Sequence, residues 1–211
     1  MNETVLSLNN VTVDYGKERI LDGVSLEVRA GEILGVRGRN GAGKTTLMEI
    51  MAGILKPRTG TRSVEPGLAL CYVPQEISLY TSLTGRQNLE FWAESYGLHG
   101  KREKARVDYL LQLMGLTEKA KKRVETYSGG MKRRLNMAAA LVVTPQLLLL
   151  DEPTVGADAA SVEVMLSTVK RLAERGAAVV LISHITDDIE GYCTRVIELS
   201  EGKLKCVSSP V

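Results

Sequence analysis

Gly38-Arg39-Asn40-Gly41-Ala42-Gly43-Lys44-Thr45 fits the spacing G-x-x-x-x-G-K-[S/T]. Glycines at this spacing let successive backbone N–H groups turn inward on phosphate oxygens. A helix that begins there aims its unpaired N–H groups and its dipole at the same anions. Lys44 is long enough to reach β and γ phosphates, and the Thr45 hydroxyl can ligate Mg²⁺. An ordinary glycine-rich turn has similar composition, so the flanks decide. A buried-strand pattern, "EILGVRG", runs into the loop, and an amphipathic pattern, "KTTLMEIMAGIL", runs out of it.

A second group of reactive residues closes the apolar run "LLLLDEP". It places Asp151 at the carboxyl end of a buried strand with Glu152 next to it. In an open α/β sheet, ligands collect beyond the carboxyl ends of the strands. Asp151 can hold Mg²⁺ there, directly or through water, and Glu152 can polarise an attacking water as general base. Alone, the pair could equally open a loop before Pro153. A phosphate loop in the same chain favours the chemical reading.

"YSGGMKRRL", Tyr127 to Leu135, is ambiguous by itself. It reads as a helix start with Ser128 as N-cap and a solvated basic face behind it. It reads also as a nucleic-acid patch, or as half of an active site completed by another molecule.

These residues need elements to hold them. "VLSLNNVTVDYG" and "ILDGVSLEVRAG" alternate with period two and predict antiparallel strands joined by a turn. "LALCYVPQ" predicts a short strand after a turn-rich connector. From about Thr84 to Met114 the pattern is helical. "QLLLLDEP" and "AAVVLISH" then return as strands around the helix pattern "AASVEVMLSTVKRLAERG". "RVIELSEGKLKCV" predicts a closing hairpin over Glu201-Gly202. Strands separated by helices indicate a mostly parallel sheet covered on both faces. The expected fold class is therefore α/β.

Composition narrows the function classes. The 211 residues carry a net charge of +2, with 44% apolar and 25% charged residues, as in an ordinary globular protein. That charge is small for a protein living on nucleic acid. Cys71, Cys193 and Cys206 are odd in number and widely spaced, which is neither a disulfide framework nor a zinc pattern. The start "MNETVLSLNN" shows no secretory signal. The longest apolar runs fall well short of the ~18 residues that suggest a membrane span, so the chain is not expected to cross a bilayer.

Order and spacing together resemble the nucleotide-binding subunit of an ABC (ATP-binding cassette) transporter, over nearly the whole chain. "YSGGM" is similar to the family signature usually written LSGGQ, and it precedes the acidic strand at the expected distance. The resemblance implies a P-loop NTPase core with a mostly parallel sheet, an N-terminal antiparallel β subdomain and an inserted α-helical subdomain. It implies one ABC ATPase domain over 1–211, with the core in 1–80 and 135–211 and the helical subdomain in 81–134.

It also implies roles. ATP would be bound by Gly38, Arg39, Asn40, Gly41, Ala42, Gly43, Lys44, Thr45 and Thr46, with Tyr15 in "VDYG" stacking on adenine. Glu152, His184 in "LISH" and Gln75 in "YVPQE" would serve hydrolysis. Thr45, Gln75 and Asp151 would hold Mg²⁺. Ser128, Gly129, Gly130 and Asp158 would contact ATP bound by a second ABC ATPase subunit, in a homo- or heterodimer. Taken alone, Asp158 is equally a helix N-cap and His184 a structural residue at a strand end.

Arg39 departs from the family's frequent proline and Met131 from its glutamine. "YSGGMKRRL" and "SLYTSLTGRQNLEFWAESYGL" resemble the ABC-2 type exporter group. The implied function is an ATP hydrolase powering an exporter. It would sit peripherally on the cytoplasmic face of the cell membrane, against separately encoded membrane-spanning permease subunits. No nucleic-acid partner is expected. The competing reading is a soluble ABC ATPase in translation or cofactor assembly, acting without a membrane partner. On either reading, the basic residues after Gly130 are expected to be solvated or to face a partner.

Overall fold

The structure, a computed structural model, describes residues 3–183 and 191–208, with the backbone alone for 206–208. His184, a sequence-derived site residue, lies outside the described residues.

Two long alternating segments open the chain. β1 (Thr4–Tyr15) and β2 (Glu18–Arg29) pair antiparallel through a tight turn at Lys17. β4 (Thr59–Val64) adds to the other edge of β1, giving an antiparallel sheet in the order β2-β1-β4. Val11, Val13, Val24 and Val28 face inward and are buried. This is the half-buried pattern that period-two spacing predicts.

The second sheet runs β5-β6-β7-β3-β8-β9. Its members are β3 (Ile33–Arg37), β5 (Leu70–Val73), β6 (Leu147–Asp151), β7 (Ala178–Ile182), β8 (Arg195–Ser200) and β9 (Lys203–Ser208). β6, β7, β3 and β8 run parallel, and β9 returns antiparallel over the Glu201-Gly202 turn. β6 and β7 are buried at every residue. That is why their sequences are continuous apolar runs rather than alternations. Truncating a wholly buried residue such as Leu149 to Ala would cost about 2–5 kcal/mol.

The helices are α1 (Lys44–Ala52), α2 (Gly85–Ser95), α3 (Lys101–Leu113), α4 (Gly129–Ala140) and α5 (Ala159–Glu174). α2 starts at a capping box. Thr84 Oγ1 accepts from the Gln87 N–H, and the Gln87 side chain accepts from the Thr84 N–H. α3 buries Val107, Leu110 and Leu111, spaced i, i+3, i+4.

By internal contacts the chain divides into two compact units. The first comprises Met1–Tyr72, Pro145–Glu152 and Val169–Val211. It holds both sheets and α1, and its core joins Val11, Val24, Leu34, Leu47, Met48, Leu149 and Val180. The second comprises Val73–Thr144 and Pro153–Thr168. Within it α4 packs against α2 and α3.

Candidate nucleotide-binding and hydrolysis site

In the first unit the loop from β3 to α1 spans Gly38 to Gly43. Gly38 admits no side chain, because a Cβ there would lie 2.4 Å from the Leu199 carbonyl oxygen. The loop thus presses against β8, with the Ala42 N–H closing a turn onto the Arg39 carbonyl at 3.1 Å. Lys44 is buried, and its ammonium donates to the carbonyls of Gly38 at 2.9 Å and Arg39 at 3.2 Å. Two of its three donors hold the loop's shape, and one remains for an anion. Gly43 is the N-cap of α1 without any side-chain cap, so the first-turn N–H groups stay available.

Thr45 is exposed, and its hydroxyl lies near enough to the Asp151 carboxylate to favour the charged form. Asp151 ends β6 and is almost completely buried, with Oδ2 lacking any hydrogen-bond partner. Burial, above all, raises its pKa. The Thr45 hydroxyl and the Lys44 charge oppose that rise, while Glu152 and Glu49 add to it. The neighbouring Tyr72 phenol is pushed up to about 12 by burial and by the Asp151 and Glu49 carboxylates.

A buried, orphaned carboxylate oxygen beside an exposed hydroxyl is a donor set that a small hard cation satisfies. Among the described residues no group of three His, Cys, Asp or Glu could hold a metal by itself. Mg²⁺ does not need one, since it takes one or two carboxylates and completes its shell with phosphate oxygens and water.

Glu152 continues the ladder through its N–H to the Ile182 carbonyl at 3.0 Å, then turns left-handed at φ 48°. A left-handed backbone at a non-glycine residue costs about 1–3 kcal/mol and persists where the surroundings impose it. Here it turns the chain off the strand end, toward Pro153. Tyr15 ends β1 with half its surface exposed.

The second unit carries the signature. Ser128 is the N-cap of α4, its Oγ accepting from the Met131 N–H at 3.3 Å. The cap uses a lone pair, so the hydroxyl proton remains to donate outward. Position 131 enters this cap through its backbone N–H, a contact that does not depend on glutamine there. Ser128 and Gly129 are exposed, whereas Gly130 is buried. A Cβ on Gly130 would meet Asp158 Oδ2 at 2.4 Å and Ser161 Oγ at 2.5 Å.

Asp158 caps α5, accepting from the Ser161 N–H at 2.9 Å and the Ser161 hydroxyl at 3.0 Å. Those bonds, the backbone one first, lower its pKa. The cap's charge therefore stabilises the fold above the ordinary Asp range and is lost as pH falls through the lowered value. Tyr127 is buried, and its hydroxyl donates to the Lys119 carbonyl at 2.8 Å. Gln75, exposed in the segment after β5, also belongs to this unit.

Two of the basic residues expected to be solvated or to face a partner bond this chain's own carbonyls. Arg133 and Arg134 are half-buried. Arg133 donates from Nε to the Val155 carbonyl at 3.1 Å and from Nη1 to the Gln75 carbonyl at 2.5 Å. Arg134 Nη1 donates to the Met114 carbonyl at 2.6 Å. The reason is packing: α4 lies against α2 and α3, and the irregular segments around it leave carbonyls that need donors. Charge in sequence gave no sign of this. The spacing of Arg133 to Asn136, both polar and three apart on a helix, was the available signal.

The sequence profile of the ABC transporter family matches residues 21–155. The linearmycin resistance ATP-binding protein LnrL of Bacillus subtilis (strain 168) is 40% identical over 215 residues. That match covers 97% of this chain and 69% of the relative. The Nod factor export ATP-binding protein I of Paraburkholderia xenovorans (strain LB400) is 34% identical over 220 residues, covering 100% of this chain and 72% of that protein. Among solved structures, a dimeric post-hydrolysis state of the ATP-binding cassette MJ0796 bound to ADP and Pi superposes with a TM-score of 0.85. Identity to it is 25%, over 96% of this chain and 99% of that one. The chain belongs to the ABC transporter family, as an ATP-binding cassette that hydrolyses ATP.

Proposed function

We propose that this chain is the ATPase subunit of an ABC-2 type exporter, paired head to tail with a second cassette and seated on a separately encoded membrane-spanning permease. One observation supports the reading: two helices, one in each unit, begin at glycine-bearing turns, α1 after Gly43 and α4 after Ser128. The start of α1 has the Lys44 ammonium and the Asp151 carboxylate beside it, whereas the start of α4 packs against Asp158 and has no basic residue before Lys132. A phosphate-facing turn that lacks its own cation suits the far side of a nucleotide held by another subunit.

In this reading Gly38 to Thr46 hold the phosphates and Tyr15 the adenine. Thr45, Asp151 and Gln75 would hold Mg²⁺, which would neutralise charge on the β and γ phosphates when bound. Glu152 accepts the proton of the attacking water, while Gln75 and His184 sense the γ phosphate. Ser128, Gly129, Gly130 and Asp158 meet the nucleotide of the second cassette. Among the described residues no helix is long and apolar enough to cross a membrane, which is compatible with a subunit docked at the cytoplasmic face. On the second unit Tyr80 and Phe91 remain exposed with ring centroids 4.9 Å apart, apolar surface that a permease could cover. LnrL is named for drug resistance and the Nod factor protein for export. Those names favour an exporter over a soluble factor of translation or cofactor assembly.

Substituting Ser128→Arg tests the reading. Turnover of Mg–ATP is expected to fall by at least about a hundredfold, as when a transition-state donor is lost. Affinity for a fluorescent ATP analogue should be retained, since the phosphate loop is untouched. Unchanged phosphate release would overturn the shared site.

A further inference from the structure

We propose that Arg133 is a positioning residue that ties the Gln75 segment and the segment leading to Asp158 to the signature helix, so that the three move as one. The inference rests on the functional reading above and concerns the second unit alone. The guanidinium of Arg133 bonds two backbone carbonyls in different segments, Gln75 at 2.5 Å and Val155 at 3.1 Å. Its planar fork fixes both directions at once, which a lysine ammonium does not do. Arg133 stands five residues beyond Ser128, in the second turn of α4, where the signature's own cap holds the first.

Neighbouring contacts point the same way. Asn136, buried and one turn further along α4, accepts from the Ser78 N–H at 3.1 Å. Two polar side chains at i and i+3 therefore clasp the Gln75–Ser78 stretch to one helix. On the other side, the space at Gly129 and Gly130 is taken up by the Gly156 carbonyl, Asp158 and Ser161. Val155, held by Arg133, is the residue just before this contact. Gln75, Ser128 and Asp158 thus share one framework, in which Arg133 is the side chain that bonds both the Gln75 and the Val155 segment. Removing its guanidinium leaves each residue present and loosens those two segments together.

Arg133→Ala and Arg133→Lys, measured together, decide the matter. For each we expect kcat for Mg–ATP to fall between about tenfold and a hundredfold, the scale of a catalytic group displaced by about 1 Å. Affinity for the fluorescent nucleotide should stay within about twofold, because binding and chemistry separate in this way when only positioning is lost. Amide hydrogen exchange should rise in 74–77 and 154–157 together. If Arg133→Ala does not fold, Arg133→Lys carries the test. A kcat for Arg133→Lys within about twofold of the parent, or exchange rising in only one segment, would overturn the proposal. A parent chain without ATPase activity would instead sink the functional reading. The exchange result would still decide whether Arg133 couples the two segments.

Discussion

At the end of β6 the Asp151 carboxylate keeps Oδ2 buried and without a hydrogen-bond partner. A buried charge left partly unpaired opposes folding of the empty protein. The same oxygen is free to bind a cation arriving with the nucleotide. Asp151→Asn removes the charge and keeps the shape. We expect its unfolding midpoint without nucleotide or metal to rise by about 2–4 °C, the shift expected for about 1 kcal/mol in a chain of this size. Mg–ATP turnover should drop to background. Calorimetry and phosphate release check the two halves, and a lowered midpoint would show that Asp151 stabilises the fold instead. Lys44 and Thr45 could be singled out from spacing because the G-x-x-x-x-G-K-[S/T] pattern is written in consecutive residues. Arg133 was not, because its partners at 75 and 155 lie far off in the sequence, and a run of basic residues carries no mark of what it bonds.

At the scale of elements, α4 shows how a short sequence sets a surface. Ser128 fixes where the helix begins, and the two glycines then let the first turn approach the cap of α5. A methyl group at Gly130 has no room between Asp158 and Ser161. Gly130→Ala should destabilise the protein by about 1–3 kcal/mol, the usual range for overpacking. It should also abolish turnover, with nucleotide affinity retained. Denaturant unfolding and phosphate release measure both effects, and a variant of parental stability would contradict the packing. Most elements were readable. β1 and β2 alternate because one face of their sheet is buried. β7, and β6 as far as Leu150, are wholly apolar because both faces are covered. Less readable was β4, whose exposed and half-buried residues "TGTRSV" form a strand only by adding to the edge of β1. Tertiary pairing there outweighs a weak local pattern.

For the whole molecule, the two helix starts that the proposal assigns to phosphate belong to different compact units of the chain. The reading therefore requires that ATP joins two cassettes and that hydrolysis parts them. Order and spacing of motifs suggest this reading from the sequence, whereas the proposed partners would be other chains and leave no direct trace in this one. The sharpest measurement is the molar mass of Glu152→Gln in solution by light scattering, with and without saturating Mg–ATP. The account predicts a monomer that converts to a stable dimer on adding ATP, with hydrolysis slowed by at least about a hundredfold for want of the general base. A variant that binds ATP and remains monomeric at every protein concentration would contradict it.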